Sequence, residues 1–485
     1  MYNPFILSFK PGISLTEEST NCITIQSPQV PLNIPEYTLK INGVSPGFLA
    51  ALKLLTTDGA TEEYLSDLVL QTDGLNELPK LYAYLEKFTN LGLICHTILA
   101  EKSPLATLVP LAQDQKFAIK EATPDKKYIL SRFAYCRKDK EKLVVESPLS
   151  HSQLILADWQ ASAIIFELSQ PRNYRDIYQK IPNISEDTIK NFFSLILSAE
   201  ILMEVQEDGD IAETTNETLV QWEFHDLLFH SRTRTGRHSN PVGRTYPFFG
   251  KIDRLAAIKT KVSNDIINLY KPDIEKLKES DLPFTLILEN RKSIKEFNDQ
   301  NPITDKQLGE FLYRTARVKE VIENGPEEIS KRPYPNGGAN YELELYLAIN
   351  TCENIPSGFY HYCPQDHQLC KISEKTENVD QLLEEVWIAN RQNKMPQILI
   401  IMAARFARIN WQYESIAYAT ILKNVGVLLQ TMYLVSTAMN LASSAIGEGN
   451  ADLFALTAQT DYYTETSVGE FILGSKYSEG LGARG

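Results

Sequence analysis

No two cysteines in this 485-residue chain are spaced as Cys-x-x-Cys, and no two histidines as His-x-x-x-His. With only six cysteines and seven histidines, neither a metal-ligand set nor a disulfide framework is spelled out, so reduced thiols serving as small core residues, and no metal, are expected. The longest apolar stretches, such as Leu428 to Val435, are far too short to cross a bilayer. The start of the chain has no basic region followed by an apolar signal segment, so a cytoplasmic protein with no membrane partner is expected. Cations are also in deficit: 48 Lys and Arg stand against 62 Asp and Glu, a net charge of −14. That balance weighs against a nucleic-acid partner, whose phosphates need neutralising. What remains is a globular composition in a chain long enough for more than one domain.

The N-terminal half reads as a repeat. Phe5 to Ser8 and Ile23 to Pro28 recur as Tyr128 to Ser131 and Leu143 to Pro148, which predicts the same leading strand pair twice. Each pair precedes three helices: Pro46 to Leu55, Thr61 to Leu70 and Glu77 to Leu91 in the first copy; Leu156 to Leu168, Tyr174 to Ile181 and Ser185 to Ser198 in the second. Strand-like tails follow at Leu93 to Ile98 and Ile201 to Val205. Hairpin, three helices and a strand is the winged-helix order. About two-thirds of the net negative charge lies in this half, and neither third helix shows a Lys/Arg stripe, so DNA is disfavoured against an extended peptide added at a sheet edge, with structural filler or a dimerisation arm as the alternative. Gln206 to Glu217 reads as an acidic loop and Trp222 to His230 as an amphipathic helix. The basic run Ser231 to His238 suits an anionic partner, a flavin phosphate or acidic surface of its own neighbour, the last being favoured.

Chemistry concentrates after Phe284. Thr285 to Asn290 ends a helix ahead of Arg291-Lys292-Ser293, a guanidinium and a hydroxyl suited to a phosphate monoester. Thr304 to Gln307 has the form of a capping box, with Leu308, Phe311, Leu312 and Thr315 on one helical face. Pro335-Asn336-Gly337-Gly338-Ala339 lets backbone approach a planar ligand. Tyr341 to Asn350 and Gln397 to Ala403 read as strands, with a hairpin over Gly358 to Ile372. Tyr413 to Met439 reads as one long helix, apolar nearly all round, which must be covered by its own domain or by a second subunit. Lys423, Asn424 and Gln430 are polar within it and need partners. Pro241 to Pro283 shows no assignable pattern.

Arg291-x-Ser293-x-Lys295-x-Phe297, the Pro-Asn-Gly-Gly-Ala turn, Gly426-x-x-x-Gln430, Ile446-Gly447-Glu448-Gly449 and Val468 to Gly474 together resemble the FMN-dependent nitroreductase fold. Phe224 to Asp226, Gly236 to His238 and Arg332 to Pro335 are similar to its azoline-dehydrogenase branch in ribosomal peptide biosynthesis, most of all to cyanobactin thiazoline oxidases. The resemblance implies an α+β architecture: winged-helix-like peptide-recognition domains at 1–115 and 116–215, a linker at 216–280, and an FMN domain at 281–485 built on a mixed sheet flanked by helices. It implies a homodimer with FMN at the interface and an azoline-containing precursor peptide as substrate. Arg291 and Ser293 would hold the phosphate and ribityl chain, with Lys295 where the family usually has arginine. Asn336, Gly337 and Gly338 would lie along the ring, and backbone at Gly447, Glu448 and Gly449 would face its N5 and O4 edge. Gln430 belongs to the matched helix motif, and Ser475 or Lys476 would complete the phosphate pocket.

The reaction implied is two-electron oxidation of a thiazoline or oxazoline to the azole, with oxygen reoxidising the flavin. Related enzymes carry a Lys-Tyr pair for the proton, but here the dipeptide is Gln412-Tyr413. Tyr413 and Lys423 are therefore the candidates for proton handling, while helix-start packing and a dimer salt partner are their respective alternatives. An NAD(P)H-dependent nitro or quinone reductase and a non-catalytic peptide-binding scaffold are the competing readings; the large N-terminal half weighs against the first.

Overall fold

The computed structural model describes residues 4–19, 21–27, 38–112, 117–325, 327–391 and 394–477. Pro28, part of the repeated motif, lies outside them. The chain forms two compact units, 1–242 and 243–485.

In the first unit each copy has its three helices: Pro46–Thr56, Glu62–Asp73 and Leu78–Asn90, then Trp159–Glu167, Tyr174–Tyr178 and Glu186–Ser198. Their starts follow from local chemistry. Thr61 and Ser185 sit just outside their helices with extended backbone, and their hydroxyls accept from the Tyr64 and Thr188 amides. Asp73 closes the second helix and accepts from the Gly47 and Phe48 amides at 2.9 Å, so it caps the first. Ile189, Phe192, Phe193, Leu195 and Ile196 are all fully buried.

The leading strands part company. Ile6–Phe9 enters a seven-stranded sheet, whereas Cys22–Gln26 sits in a separate three-stranded one with Ser14–Ser19 and Thr38–Asn42. In the second copy Tyr128–Leu130 pairs with Leu202–Glu204, with one further bridge from Tyr128 to Arg172, while Lys142–Glu146 makes a tight hairpin with Tyr135–Asp139. The expected strand pairs thus do not form. Each second strand has a nearer segment with which to close a hairpin at lower loop-closure cost. The copies are instead sewn together by Ser103–Pro110 pairing with Ser152–Leu156 in the large sheet, which Tyr135–Asp139 ends as an edge strand.

Two local expectations are also corrected. The acidic loop contains a one-turn helix, Ala212–Thr215, because the buried Glu213 carboxylate accepts from the Arg132 amide at 2.8 Å and from Ser131 Oγ. The amphipathic helix starts and ends two residues later, at Phe224–Arg232. Its basic neighbourhood is paired as expected: Arg232 lies 3.6 Å from buried Glu146, and Arg237 donates to the Leu149 carbonyl at 2.9 Å.

The second unit is a seven-stranded sheet in the order Ile266–Asn268, Gln368–Glu374, Gly358–Cys363, Leu343–Ile349, Ile398–Arg405, Glu465–Ser475, Leu441–Ile446. Its six pairings are all antiparallel among the described residues, where a sheet of mixed direction was expected. Side chains alternate between two cores as the pleat dictates. Leu345, Leu347, Ile400 and Met402 pack with the helices Asp305–Ala316 and Ala417–Ala438; Tyr346, Ala348, Leu399 and Ile401 pack with Glu377–Ala389 and Ala451–Ala458. Residues 243–280, read as linker and unassigned chain, supply the edge strand Ile266–Asn268, and Gly243–Arg244 pairs with Tyr413–Glu414.

The long helix runs Ala417–Ala438, so Tyr413 lies in a short strand ahead of it; Ser415, at φ +58, breaks the helix there. Cys363 and Cys370, diagonal neighbours across a hairpin, are paired as a disulfide, so the expectation of six reduced thiols holds only for Cys22, Cys95, Cys136 and Cys352. Among the described residues no helix is long and apolar enough to cross a membrane.

The capping box at Thr304 is complete: its hydroxyl accepts from the Gln307 amide at 3.1 Å, and Gln307 Oε1 accepts from the Thr304 amide at 3.0 Å. Replacing Thr304 by Ala is expected to cost about 1 kcal/mol. Urea unfolding will show this as a lower midpoint at unchanged slope.

Candidate functional site

The site is built along the long helix, which touches two of the predicted motifs nine residues apart. Near its C-terminal end Tyr433 holds the Arg291–Ser293 turn: Ser293 Oγ is 3.0 Å from Tyr433 Oη, and the Arg291 guanidinium lies 5.4 Å from the ring centroid. Tyr433 Oη also accepts from the Ala445 amide at 2.7 Å, and the Ile294 amide donates to the Ser443 carbonyl at 2.8 Å. The turn is therefore fastened to both helix and sheet. Burial alone would raise the Tyr433 hydroxyl pKa, but hydrogen bonds from Ser293, the Ala445 amide and Ser444, with the Arg291 charge, hold it below its usual value. Arg291, Lys292 and Lys295 have no carboxylate within ion-pair distance among the described residues. Three unpaired cations in five residues are unusual in a chain of net charge −14.

Nine residues earlier, at 1.5 Å per residue roughly 14 Å along the axis, Asn424 reaches the glycine turn. Its Oδ1 accepts from the Gly337 amide at 3.0 Å and its Nδ2 donates to buried Glu342 at 2.8 Å. Asn336 donates to the other Glu342 oxygen at 2.9 Å and accepts from the Tyr341 amide at 2.9 Å. Burial raises the Glu342 pKa in spite of both donors. The far side of the turn rests on Gln412 and Tyr413. Asn340 Nδ2 donates to Gln412 Oε1 at 2.7 Å and to the Gly337 carbonyl at 3.0 Å, and fully buried Arg408 donates twice to the Asn340 carbonyl.

Behind Gln412 lies Glu327, which accepts from Gln412 at 3.0 Å and is paired with Arg244 at 2.9 Å and Arg254 at 3.3 Å. Burial pulls its pKa up, but the Tyr246 hydroxyl and the two arginines outweigh that and keep it below the usual range. Burial raises the Tyr413 pKa, with Arg244 opposing and Glu327 assisting, so its phenol stays protonated at neutral pH.

The remaining predicted residues fall elsewhere on this frame. Lys423 and Gln430 are exposed on the long helix, and Lys423 makes no hydrogen bond or ion pair among the described residues. With Tyr418, Leu422 and Gly426, Gln430 lies on an exposed face at four-residue spacing, so this chain by itself buries one face of the helix. Gly447, Glu448 and Gly449 follow the strand Leu441–Ile446, just beyond the Ala445 amide held by Tyr433. Ser475 is not turned toward the cationic turn: its hydroxyl donates to the Asn298 carbonyl at 3.0 Å and accepts from Gln397 at 3.2 Å. Lys476 Nζ lies 3.4 Å from Asn440 Oδ1. Sequence reasoning missed Tyr433, Asn340, Glu327 and Arg408 as members of the site. Asn424 alone carried a signal, as an amide among apolar helix residues.

The residues present fit a flavin nucleotide: a cationic turn without a carboxylate partner among the described residues suits its phosphate, and Gly447 has nothing within 4 Å of an added Cβ, which leaves its backbone approachable. Comparison with known proteins agrees. Residues 1–119 match the family described as the ThcOx helix turn helix domain, residues 128–239 the cyanobactin oxidase ThcOx, and residues 288–474 the nitroreductase family. The protein MJ1384 of Methanocaldococcus jannaschii, which bears a nitroreductase name, is 26% identical over 186 residues, 38% of this chain and 85% of its own. A crystal structure named as a nitroreductase of Ralstonia eutropha aligns over 50% of this chain and all of its own at 20% identity and TM-score 0.36. The E. coli microcin synthetase McbBCD complex with truncated pro-MccB17 aligns over 48% of this chain and 88% of its own at 17% identity and TM-score 0.34. By the order of its three matched segments the chain belongs with the cyanobactin oxidases of the nitroreductase superfamily, as a flavin-dependent enzyme that oxidises azolines in the biosynthesis of ribosomally made peptides.

Proposed function

We propose that the flavin is FMN, bound between two copies of this chain, and that it oxidises thiazolines or oxazolines of a precursor peptide to azoles in the cytoplasm. The unpaired cations of Arg291, Lys292 and Lys295 beside Tyr433 carry this reading, since a nucleotide with a terminal phosphate monoester supplies the dianion they lack. Arg291, Ser293 and Lys295 would hold that phosphate; Asn336, Gly337 and Gly338 would border the ring from one side and Gly447, Glu448 and Gly449 from the other. FMN, when bound, supplies the two-electron acceptance that no side chain can. Ser475 has the weakest support, because its hydroxyl is already engaged.

A second copy would cover the stripe of Tyr418, Leu422, Gly426 and Gln430, together with exposed Phe284, Leu286 and Leu288 on the neighbouring helix Phe284–Asn290. Exposed apolar side chains in that number mark an association surface. In the first unit, the segments 1–115 and 116–215 would recognise peptide, with the edge strand Tyr135–Asp139 able to accept an added strand.

The chain's own part in the chemistry is the proton. Tyr413 Oη stands against the glycine turn, holds its proton at neutral pH, and lies in the field of Arg244 and Glu327. It can orient the azoline by donating to it, or pass a proton towards that pair. Lys423, on the uncovered face, would reach the reaction only in the dimer.

The test begins with the absorbance spectrum of the purified protein, which should show flavin bands, and continues with anaerobic titration. An azoline-containing peptide should bleach the flavin without added NADPH. Bleaching by NADPH and indifference to peptide would instead make the protein a small-molecule reductase. Tyr413→Phe should lower kcat by about 10²-fold or more while leaving flavin binding unchanged, the usual scale for a positioned acid or base. Full kcat in that variant would return Tyr413 to a packing role.

A further inference from the structure

On the side of the sheet away from the long helix, a cavity of about 490 Å³ opens beneath the Glu448–Asn450 turn. Its floor is apolar, with Leu399, Ile401 and Phe454 among its walls, and its charged groups are all acids: Glu470, Glu385, Glu448 and Asp452. Glu470 differs from the other three. It projects from the strand Glu465–Ser475, register partner of both Ile401 and Ile446, is only 7% exposed, and has no cation beside it in the cavity. Its carboxylate is wedged against Gly449: a Cβ added there would meet Glu470 Oε2 at 2.6 Å, and Oε1 and Cδ closer still. Glycine at 449 lets the turn sit directly against the Glu470 carboxyl, which would have to move for any larger residue.

We propose that Glu470 is the positioning residue of the Gly447–Gly449 turn, and that the turn's hold on the flavin is coupled to ionisation of this carboxyl through the cavity. The inference rests on the reading that this turn borders the flavin. A buried carboxylate without a counter-charge is costly, so the neutral acid is favoured. Burial raises its pKa to about 7, with a Ser467 hydroxyl opposing. The groups facing it from the packed elements are Glu385 on Glu377–Ala389, Glu448 on the turn and Asp452 on Ala451–Ala458, all of the sign that resists ionisation.

The direction follows. Below neutrality Glu470 is an acid and adds no charge of its own behind the turn. Above neutrality the carboxylate draws the dipoles of the neighbouring amides toward itself, and the turn loses hold of a ligand that accepts from them. A coupling of one pKa unit corresponds to about a tenfold change in affinity.

The experiment measures the FMN dissociation constant by flavin fluorescence quenching between pH 6 and 8.5 for the wild type, Glu470→Gln and Glu470→Asp. In the wild type the constant should rise about tenfold across pH 7. Glu470→Gln, which keeps the shape without the charge, should bind with the low-pH affinity throughout, and its flavin absorbance bands should stop moving with pH. Glu470→Asp, a shorter acid set back from Gly449, should regain a pH-dependent step. A wild-type affinity that does not vary with pH, or a Glu470→Gln variant that keeps the full step or weakens equally at every pH, would overturn the proposal. Failure of the wild type to bind FMN at any pH would instead overturn the FMN reading itself.

Discussion

Arg291→Ala is expected to yield a folded, nearly colourless protein whose FMN dissociation constant is higher by about 10²–10³-fold. Charge-assisted hydrogen bonds contribute about 1.5–3 kcal/mol each, and a guanidinium can make two in parallel to a phosphate. Lys292 and Lys295 remain in the variant, so long-range attraction persists while the bidentate contact is lost. Arg291→Lys should therefore recover only part of the affinity, as a point charge does. The side chain is half-buried and has no carboxylate partner among the described residues, so its removal leaves no buried charge unpaired. The stability cost is limited to its packing over Tyr433, about 0.5–1 kcal/mol. Thermal melts of the apo proteins should nearly coincide, separating ligand loss from misfolding. Arg291→Ala that copurifies with flavin and binds it as tightly as the wild type would show that the phosphate sits elsewhere.

Much of this was legible because it is local. A Ser, Thr or Gln at the right offset caps a helix whatever the rest of the chain does, and so Thr304 was readable as a cap. Strands alternating between two cores, and residue types suited to an anion, are likewise properties of short windows. Pairings at long separation had no such signal. The leading strands of each repeat looked like partners because they recur together, yet closer hairpins claimed them. Tyr433, 140 residues from Ser293, is one aromatic among many apolar helix residues until folding brings its hydroxyl to the turn. Asn340, Gln412, Arg408 and Glu327 form one hydrogen-bonded set from three separate stretches of chain, and nothing in any stretch announces the others. The stripe on the long helix was visible as an excess of apolar residues; which face stays open depended on where the sheet lay.

That hydrogen-bonded set makes Gly338→Ala the substitution with the largest expected effect on folding. Gly338 has φ +66 inside the turn, where an alanine costs about 1–2 kcal/mol by backbone strain alone. Its Cβ would lie 2.6 Å from Gln412 Oε1, 2.7 Å from Tyr413 Oη and 2.9 Å from Asn340 Nδ2. None of the three is free to retreat. Gln412 is held by Glu327, Asn340 by Arg408, and Tyr413 by its strand pairing with Arg244. Overpacking at such a point adds about 1–3 kcal/mol, for a total near 2–5 kcal/mol and a denaturant midpoint lowered in proportion. Displacing Tyr413 and the turn together should also abolish azoline oxidation in whatever protein folds. Gly426→Ala provides the contrast: that glycine is exposed in the middle of the long helix with no atom within 4 Å of an added Cβ, so alanine should stabilise the isolated chain by about 1 kcal/mol. If the same face is buried against a second copy, that variant gains helix stability yet loses dimer affinity, which sedimentation at graded concentrations will resolve. A Gly338→Ala protein with wild-type midpoint and turnover would mean that the turn relaxes freely, and that the Gln412 and Asn340 contacts do not fix it.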